Sequence, residues 1–248
     1  MILSTPGLVL HTTPYAESSV VVKVFTRQLG LRSYIIKGVR GPRGRVKQNL
    51  LQPLSCLDMV VYDNSKTDLN YIKEISPRHG SPKSDEGELR SVPALSPVEN
   101  ALRFFMTEVL YKALREAEPM PALWDYVEDT SSPMSDEGGQ RSVSHLPVLF
   151  LLTVALHLGI EPLDNYSPHE PFFDLQEGRF VAIPTETSLP SELSSFLHDY
   201  LVFNPQSSTY NSGKSRRDLI DALIAYYHLH LSGFSHFHSH EILHTILK

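Results

Sequence analysis

Apolar and polar positions alternate in short runs as far as about Pro77, and then the period changes. Gly7 to Thr12, Ser19 to Thr26, Leu31 to Val39, Leu54 to Tyr62 and Leu69 to Ile75 are rich in Val, Ile, Leu, Tyr and Phe and are parted by polar or turn residues. That is a strand pattern. Five short strands in under eighty residues leave open edges unless the sheet closes, and the five-stranded OB-type barrel is the usual closed solution at this size.

Beyond Ser96 the period is helical. Ser96, Pro97 and Glu99 supply a hydroxyl cap, a proline at the first helical position and a carboxylate placed to reach back to the cap. Leu102, Phe105, Val109, Ala113 and Ala117 then recur at spacings of three and four, and Pro119 and Pro121 end the run. Further helices are expected at Ala122 to Glu128, Val148 to Gly159, Leu193 to Phe203, Arg216 to Leu231 and Glu241 to Leu247, with Ser215 and Asp218 as a second capping box. A short hairpin, Phe172 to Leu175 and Gly178 to Ile183, interrupts them.

The expected fold class is therefore α+β, an N-terminal five-stranded OB-type β-barrel followed by a C-terminal helical domain. Residues 1–80 form the barrel, 81–96 a flexible linker and insert, and 97–248 the helical domain with a disordered insert near 130–145. The two inserts are related: Ser81 to Val92 and Ser132 to Val143 are identical at nine of twelve positions. Two polar copies with almost no apolar face do not stack into a solenoid. Such Ser, Gly and Pro-rich tracts cannot offset their ordering entropy.

Composition narrows the function. Of the 248 residues, 41% are hydrophobic and 20% charged, ample for a packed core. The longest nearly apolar run, Leu146 to Leu158, is interrupted by Pro147, Thr153 and His157 and is shorter than the roughly 20 residues of a membrane span. No membrane association is expected. One cysteine, Cys56, makes neither an intramolecular disulfide nor a thiolate zinc site, and a cytoplasmic setting is expected.

The net charge of −6 conceals an asymmetry: residues 1–80 carry 11 Lys and Arg against 5 Asp and Glu, whereas the remainder carries 11 against 23. A basic module joined to an acidic one suits contact of the first alone with a polyanion. The densest charge is Lys37-Gly-Val-Arg40-Gly-Pro-Arg43-Gly-Arg45-Val-Lys47, five cations in eleven residues without an acid. Between strands of a small barrel this is a cationic loop of the kind that releases counterions from a nucleic-acid backbone, or else a solvated loop without a partner. Lys23, Arg27 and Arg32 add charge, and Tyr34 is either a base-stacking ring or a core residue.

Enzyme signatures are weak. Phosphate-loop, dinucleotide and nucleophile-elbow motifs are absent, and no catalytic residue or cofactor is expected. His240-Glu241-Ile-Leu-His244 fits the zinc-protease helix, but only Thr245 to Lys248 follow it, too few to supply the usual downstream ligand. His236, His228, His230 and His238 leave adventitious metal binding as the alternative. Lys214, Arg216 and Arg217 sit at a predicted helix N-terminus, where cations oppose the macrodipole. A phosphate or an acidic peptide compensates them, or plain solvation near Asp218 and Asp221.

Several strings resemble one family. Thr5-Pro-Gly-Leu-Val-Leu-His-Thr-Thr-Pro-Tyr-Ala-Glu-Ser-Ser, Val24-Phe-Thr-Arg-Gln-Leu-Gly, Lys37-Gly-Val-Arg, Leu51-Gln-Pro-Leu and Tyr226-Tyr-His-Leu-His-Leu-Ser-Gly-Phe are similar to the bacterial recombination mediator RecO family over nearly the full length. The resemblance implies a DNA repair role: binding single- and double-stranded DNA, annealing complementary strands and, with RecR, loading RecA onto DNA coated by single-strand-binding protein. On this chain it puts Lys37 and Arg40 in the cationic barrel region, with Arg43, Arg45 and Lys47 in the same loop. It places the contact with the single-strand-binding protein C-terminal tail in the helical domain, where Arg103, Lys112, Arg115, Lys214, Arg216 and Arg217 are candidates. Many members carry a four-cysteine zinc site whose cysteines are missing here, so no metal is expected and packing of Phe172, Phe173 and Phe180 replaces it. The competing expectation is a protein-interaction adaptor without direct DNA binding.

Overall fold

Five strands close on themselves: β1 (Ile2–Tyr15), β2 (Ser19–Thr26), β3 (Gly30–Ile36), β4 (Cys56–Tyr62) and β5 (Leu69–Pro77) run in the order β1-β2-β3-β5-β4, and β1 pairs with both β2 and β4. The computed structural model describes residues 2–39, 50–64, 69–78, 95–131, 143–202, 212–234 and 236–246. All pairings are antiparallel except β3 with β5. At fourteen residues β1 is long enough to serve two neighbours, and a register shift between Val9 and His11 accompanies the change of partner. Bulges of this kind bend a strand around a barrel.

Closure needs close approach at one point. A Cβ on Gly7 would lie 2.5 Å from Val24 Cγ1 and 2.6 Å from the Met59 methyl, so only glycine fits there. Val22, Val24, Tyr34, Leu57, Met59 and Val61 fill the interior, each with almost no exposure. Strand β4 begins two residues later than expected because Leu54 adopts φ 54° and donates its N–H to the Val9 carbonyl, 2.8 Å.

The barrel belongs to a compact unit, Met1–Met134, that runs past the expected 81–96 linker to take in α1 (Pro97–Ala113) and α2 (Pro121–Ser131). The expected capping box is present at α1: Glu99 N–H donates to Ser96 Oγ at 3.2 Å and Ser96 N–H to Glu99 Oε2 at 2.7 Å. Helix α1 stops at Ala113, four residues short of the last member of its expected stripe. Ala117 instead takes φ 64° and donates its N–H to the Leu31 carbonyl, 3.0 Å, tying the α1–α2 connection to β3. Gly30 allows this: a side chain there would collide with the Glu118 backbone.

The second unit, Ser135–Lys248, holds α3 (Leu146–Leu158), the hairpin β6 (Phe172–Asp174) and β7 (Arg179–Val181), α4 (Ser191–Leu201), α5 (Gly213–His230) and α6 (Ser239–Ile246). Phe150, Leu151, Phe173, Phe180, Phe196 and Tyr227 are fully buried in it. Phe173 and Phe180 meet edge to face at 5.1 Å, the apolar packing expected at the hairpin, whereas Phe172 is only half-buried. Asp174 is buried beside them and accepts from the backbone N–H groups of Gln176 and Glu177 and from the hydroxyls of Thr185, Thr187 and Ser188. Cys56, the chain's one cysteine, lies in the barrel, so the second unit has no thiolates for a zinc site.

The cap of α5 is Ser212 rather than Ser215: Ser215 N–H donates to Ser212 Oγ at 3.1 Å, so the helix starts three residues before the expected boundary. Most of the two related inserts lies outside the described residues. No helix among the described residues is long and apolar enough to cross a membrane.

Candidate nucleic-acid interface

Three of the expected DNA-facing cations are held by carboxylates of their own unit. Lys23 Nζ donates to Glu116 Oε1 at 2.7 Å, and Arg27 grips Asp125 with two hydrogen bonds of 2.6 and 2.9 Å. Arg32 lies 3.9 Å from Asp63, both side chains being largely shielded. A paired cation presents much less field to an approaching phosphate than an isolated one. Their positive charge was legible along the chain, but partners 31 to 98 residues away were not.

Of the two readings of Tyr34, the structure gives the core residue and not the stacking ring. It is 0% exposed in the barrel core, and burial, helped by the nearby Asp63 carboxylate, raises its hydroxyl pKa. A base has no access to its face. Alternation in β3 explains the placement, since Tyr34 shares the inward side with Ile36.

Lys37 behaves differently. It follows the last residue of β3, is exposed, and among the described residues makes no ion pair; its Nζ stands 5.4 Å from the centre of the Tyr71 ring. Arg40, Arg43, Arg45 and Lys47 lie outside the described residues. Lys37 therefore marks where the barrel hands over to the basic segment.

Beside Lys37 a groove opens across three strands, lined by Ile35 and Ile36 of β3, Tyr62 of β4 and Tyr71, Ile72, Lys73 and Ile75 of β5. Tyr62 and Tyr71 are paired residues of the β4–β5 ladder, 45% and 47% exposed. Val60 pairs with Glu74 and Val61 with Ile72, which leaves Lys73 as the extra residue of a bulge. Sequence reasoning missed Tyr62, Tyr71 and Lys73. The two tyrosines helped to mark the strands, but the meeting of all three residues depends on register and on that one-residue bulge.

The expected partner-facing residues are divided between the two units. In the first unit Arg103 is half-buried and donates to the Ser131 carbonyl at 2.7 Å, with burial lowering its pKa. Lys112 pairs with Glu108 one turn away at 3.1 Å, and Arg115 is exposed. In the second unit Lys214 is exposed at the start of α5 and reaches Asp218 at 3.1 Å, while Arg216 and Arg217 are half-buried nearby.

The zinc-protease pattern takes a structural form. Helix α6 begins at Ser239, so His236, with φ 52°, precedes the helix instead of extending the His240 and His244 face. Both of those imidazoles face Asp221 of α5, at 3.9 and 3.4 Å. Among the described residues, no three His, Cys, Asp or Glu side chains converge closely enough to hold a metal. His230 Nε2 donates to the Leu175 carbonyl at 2.8 Å.

Comparison with known proteins agrees with the barrel. Residues 1–80 match the family model described as Recombination protein O N terminal. Over the whole chain the relatives are named DNA repair protein RecO: that of Porphyromonas gingivalis is 30% identical over 254 residues, 99% of either chain. Those of Christiangramia forsetii and Flavobacterium psychrophilum are 29% and 28% identical over 94% and 100% of either chain. Since the similarity runs through barrel and helices alike, this chain belongs to the RecO family, whose relatives named here are DNA repair proteins.

Proposed function

We propose that this protein acts in DNA repair as a recombination mediator. It binds single- and double-stranded DNA through the cationic end of its barrel, anneals complementary strands and, with RecR, promotes RecA loading on DNA coated by single-strand-binding protein. One observation carries the DNA-binding part. Lys23, Arg27 and Arg32 are matched by carboxylates, so the positive excess of the first eighty residues concentrates on Lys37 and the basic segment it opens.

Such a mediator needs no catalytic residue. Cations that follow the sugar-phosphate chain lower repulsion between two strands and raise their local concentration while base edges remain free to pair. The acidic remainder of the chain avoids DNA and offers its surface to proteins, including the acidic tail of single-strand-binding protein at Arg103, Lys112, Arg115 or the Lys214, Arg216 and Arg217 group.

A filter-binding salt titration tests this reading. Arg40→Ala with Arg43→Ala should weaken binding to every DNA sequence and lower the salt slope by roughly 2, about 0.9 per lost phosphate contact. An unchanged slope overturns it, and absence of any DNA binding by the parent protein at low salt favours a protein adaptor instead.

A further inference from the structure

Large aromatic side chains in a barrel normally bury their faces, yet Tyr62 and Tyr71 stand opposite each other on adjacent strands with nearly half their surface in solvent. Lys37 and Lys73 flank them, and Ile35, Ile36, Ile72 and Ile75 complete the lining of the groove. Lys37 Nζ sits 5.4 Å from the Tyr71 ring centre, close enough to hold that ring by a cation–π contact. Among the described residues, the carboxylate paired within this group is Glu74, 3.1 Å from Lys73 Nζ and itself at the surface.

We infer that this groove is a base-stacking platform for unpaired nucleotides, with Tyr62 and Tyr71 receiving base faces and the unpaired Lys37 an adjoining phosphate. The inference rests on the DNA-binding reading above and adds to it a named site and a preference for single strands.

The chemistry selects the ligand. Flat exposed rings with flanking ammonium groups match a chain that alternates π-faces with anions, which describes single-stranded nucleic acid. A duplex offers the same phosphates, but its bases are already stacked on each other and have no face to give. The two rings therefore add affinity only for strands with unpaired bases.

The experiment compares an oligothymidylate, an abasic oligomer of equal length and a duplex, each titrated by fluorescence anisotropy at several salt concentrations. Tyr62→Ala with Tyr71→Ala should weaken oligothymidylate binding about ten-fold or more while leaving the abasic oligomer, the duplex and the salt slope as in the parent. Lys37→Gln should weaken all three ligands and flatten the slope. Tyr62→Phe with Tyr71→Phe, which keeps both rings, should retain parental affinity and guards against loss of fold as the explanation; Tyr→Leu at both positions serves where the alanine pair fails to fold.

Parental binding of oligothymidylate by a folded alanine or leucine pair overturns the platform while the general DNA-binding reading stands. Failure of the parent protein to bind any of the three ligands overturns both.

Discussion

The indole Nε1 of Trp124 donates to the main-chain carbonyl of Phe25 across 2.9 Å, with the tryptophan fully buried. Phe25 is itself laddered to Leu8 of β1 and Leu31 of β3. This one bond fastens α2 to the middle of the sheet and gives a buried N–H its partner. Arg78 reinforces the junction, lying 5.9 Å over the same indole while binding Asp58 at 2.8 Å and Glu128 at 2.7 Å.

Trp124 should therefore act as a structural anchor of the first unit. Trp124→Ala is expected to cost about 3–5 kcal/mol by urea denaturation, from lost burial plus an unmatched carbonyl. Trp124→Phe should lose less, because it keeps most of the apolar area. A cost below about 1 kcal/mol for the alanine variant contradicts the anchor.

Paired and unpaired cations should differ in their effect on DNA binding. Lys23→Gln with Arg27→Gln removes charges already matched by Glu116 and Asp125, so the salt slope should change by less than about half of what Arg40→Ala with Arg43→Ala produces. Equal losses from the two double variants mean that the pairs open on binding and that the barrel side, too, touches DNA.

Asp174 gives the second unit an acid limit. Burial pushes its pKa upward, but the hydrogen bonds from Thr185, the Glu177 backbone, Ser188 and Thr187 outweigh that and leave it at about 2, against an ordinary 3.8. A folded-state pKa below the unfolded value stabilises at pH above 3.8, by about 2 kcal/mol, and that contribution is lost as pH falls toward 2. Asp174→Asn should destabilise by about 2 kcal/mol or more at pH 7 and remove this part of the acid transition, measured by thermal melts between pH 7 and pH 2.

His145 acts at milder pH. Its Nδ1 and the Tyr200 hydroxyl share a hydrogen bond of 2.7 Å, and burial, then the Arg216 charge, lowers its pKa below 6.5. The fold favours the neutral imidazole, so its stabilisation is complete above pH 6.5 and declines as pH drops below that value. A melting-temperature loss between pH 7.5 and pH 5 that is smaller in His145→Gln than in the parent is the expected outcome. An identical loss in both assigns the effect to other groups.

Strand and helix identity was written locally. Val, Ile and Tyr in alternation marked all five barrel strands, and Ser96, Pro97 and Glu99 marked the start of α1, because cap geometry and side-chain period depend only on near neighbours. The excess of positive charge in the first eighty residues and the dense run from Lys37 were equally plain. Tertiary structure alone decided which of those charges stay uncompensated, since Glu116 and Asp125 reach Lys23 and Arg27 across more than ninety residues. It also decided which tyrosine meets solvent: Tyr34 points inward while Tyr62 and Tyr71 come together outside, an outcome of register and a single bulged residue. Pairing register and long-range ion pairing are properties of the closed barrel, and no short stretch of sequence specifies them.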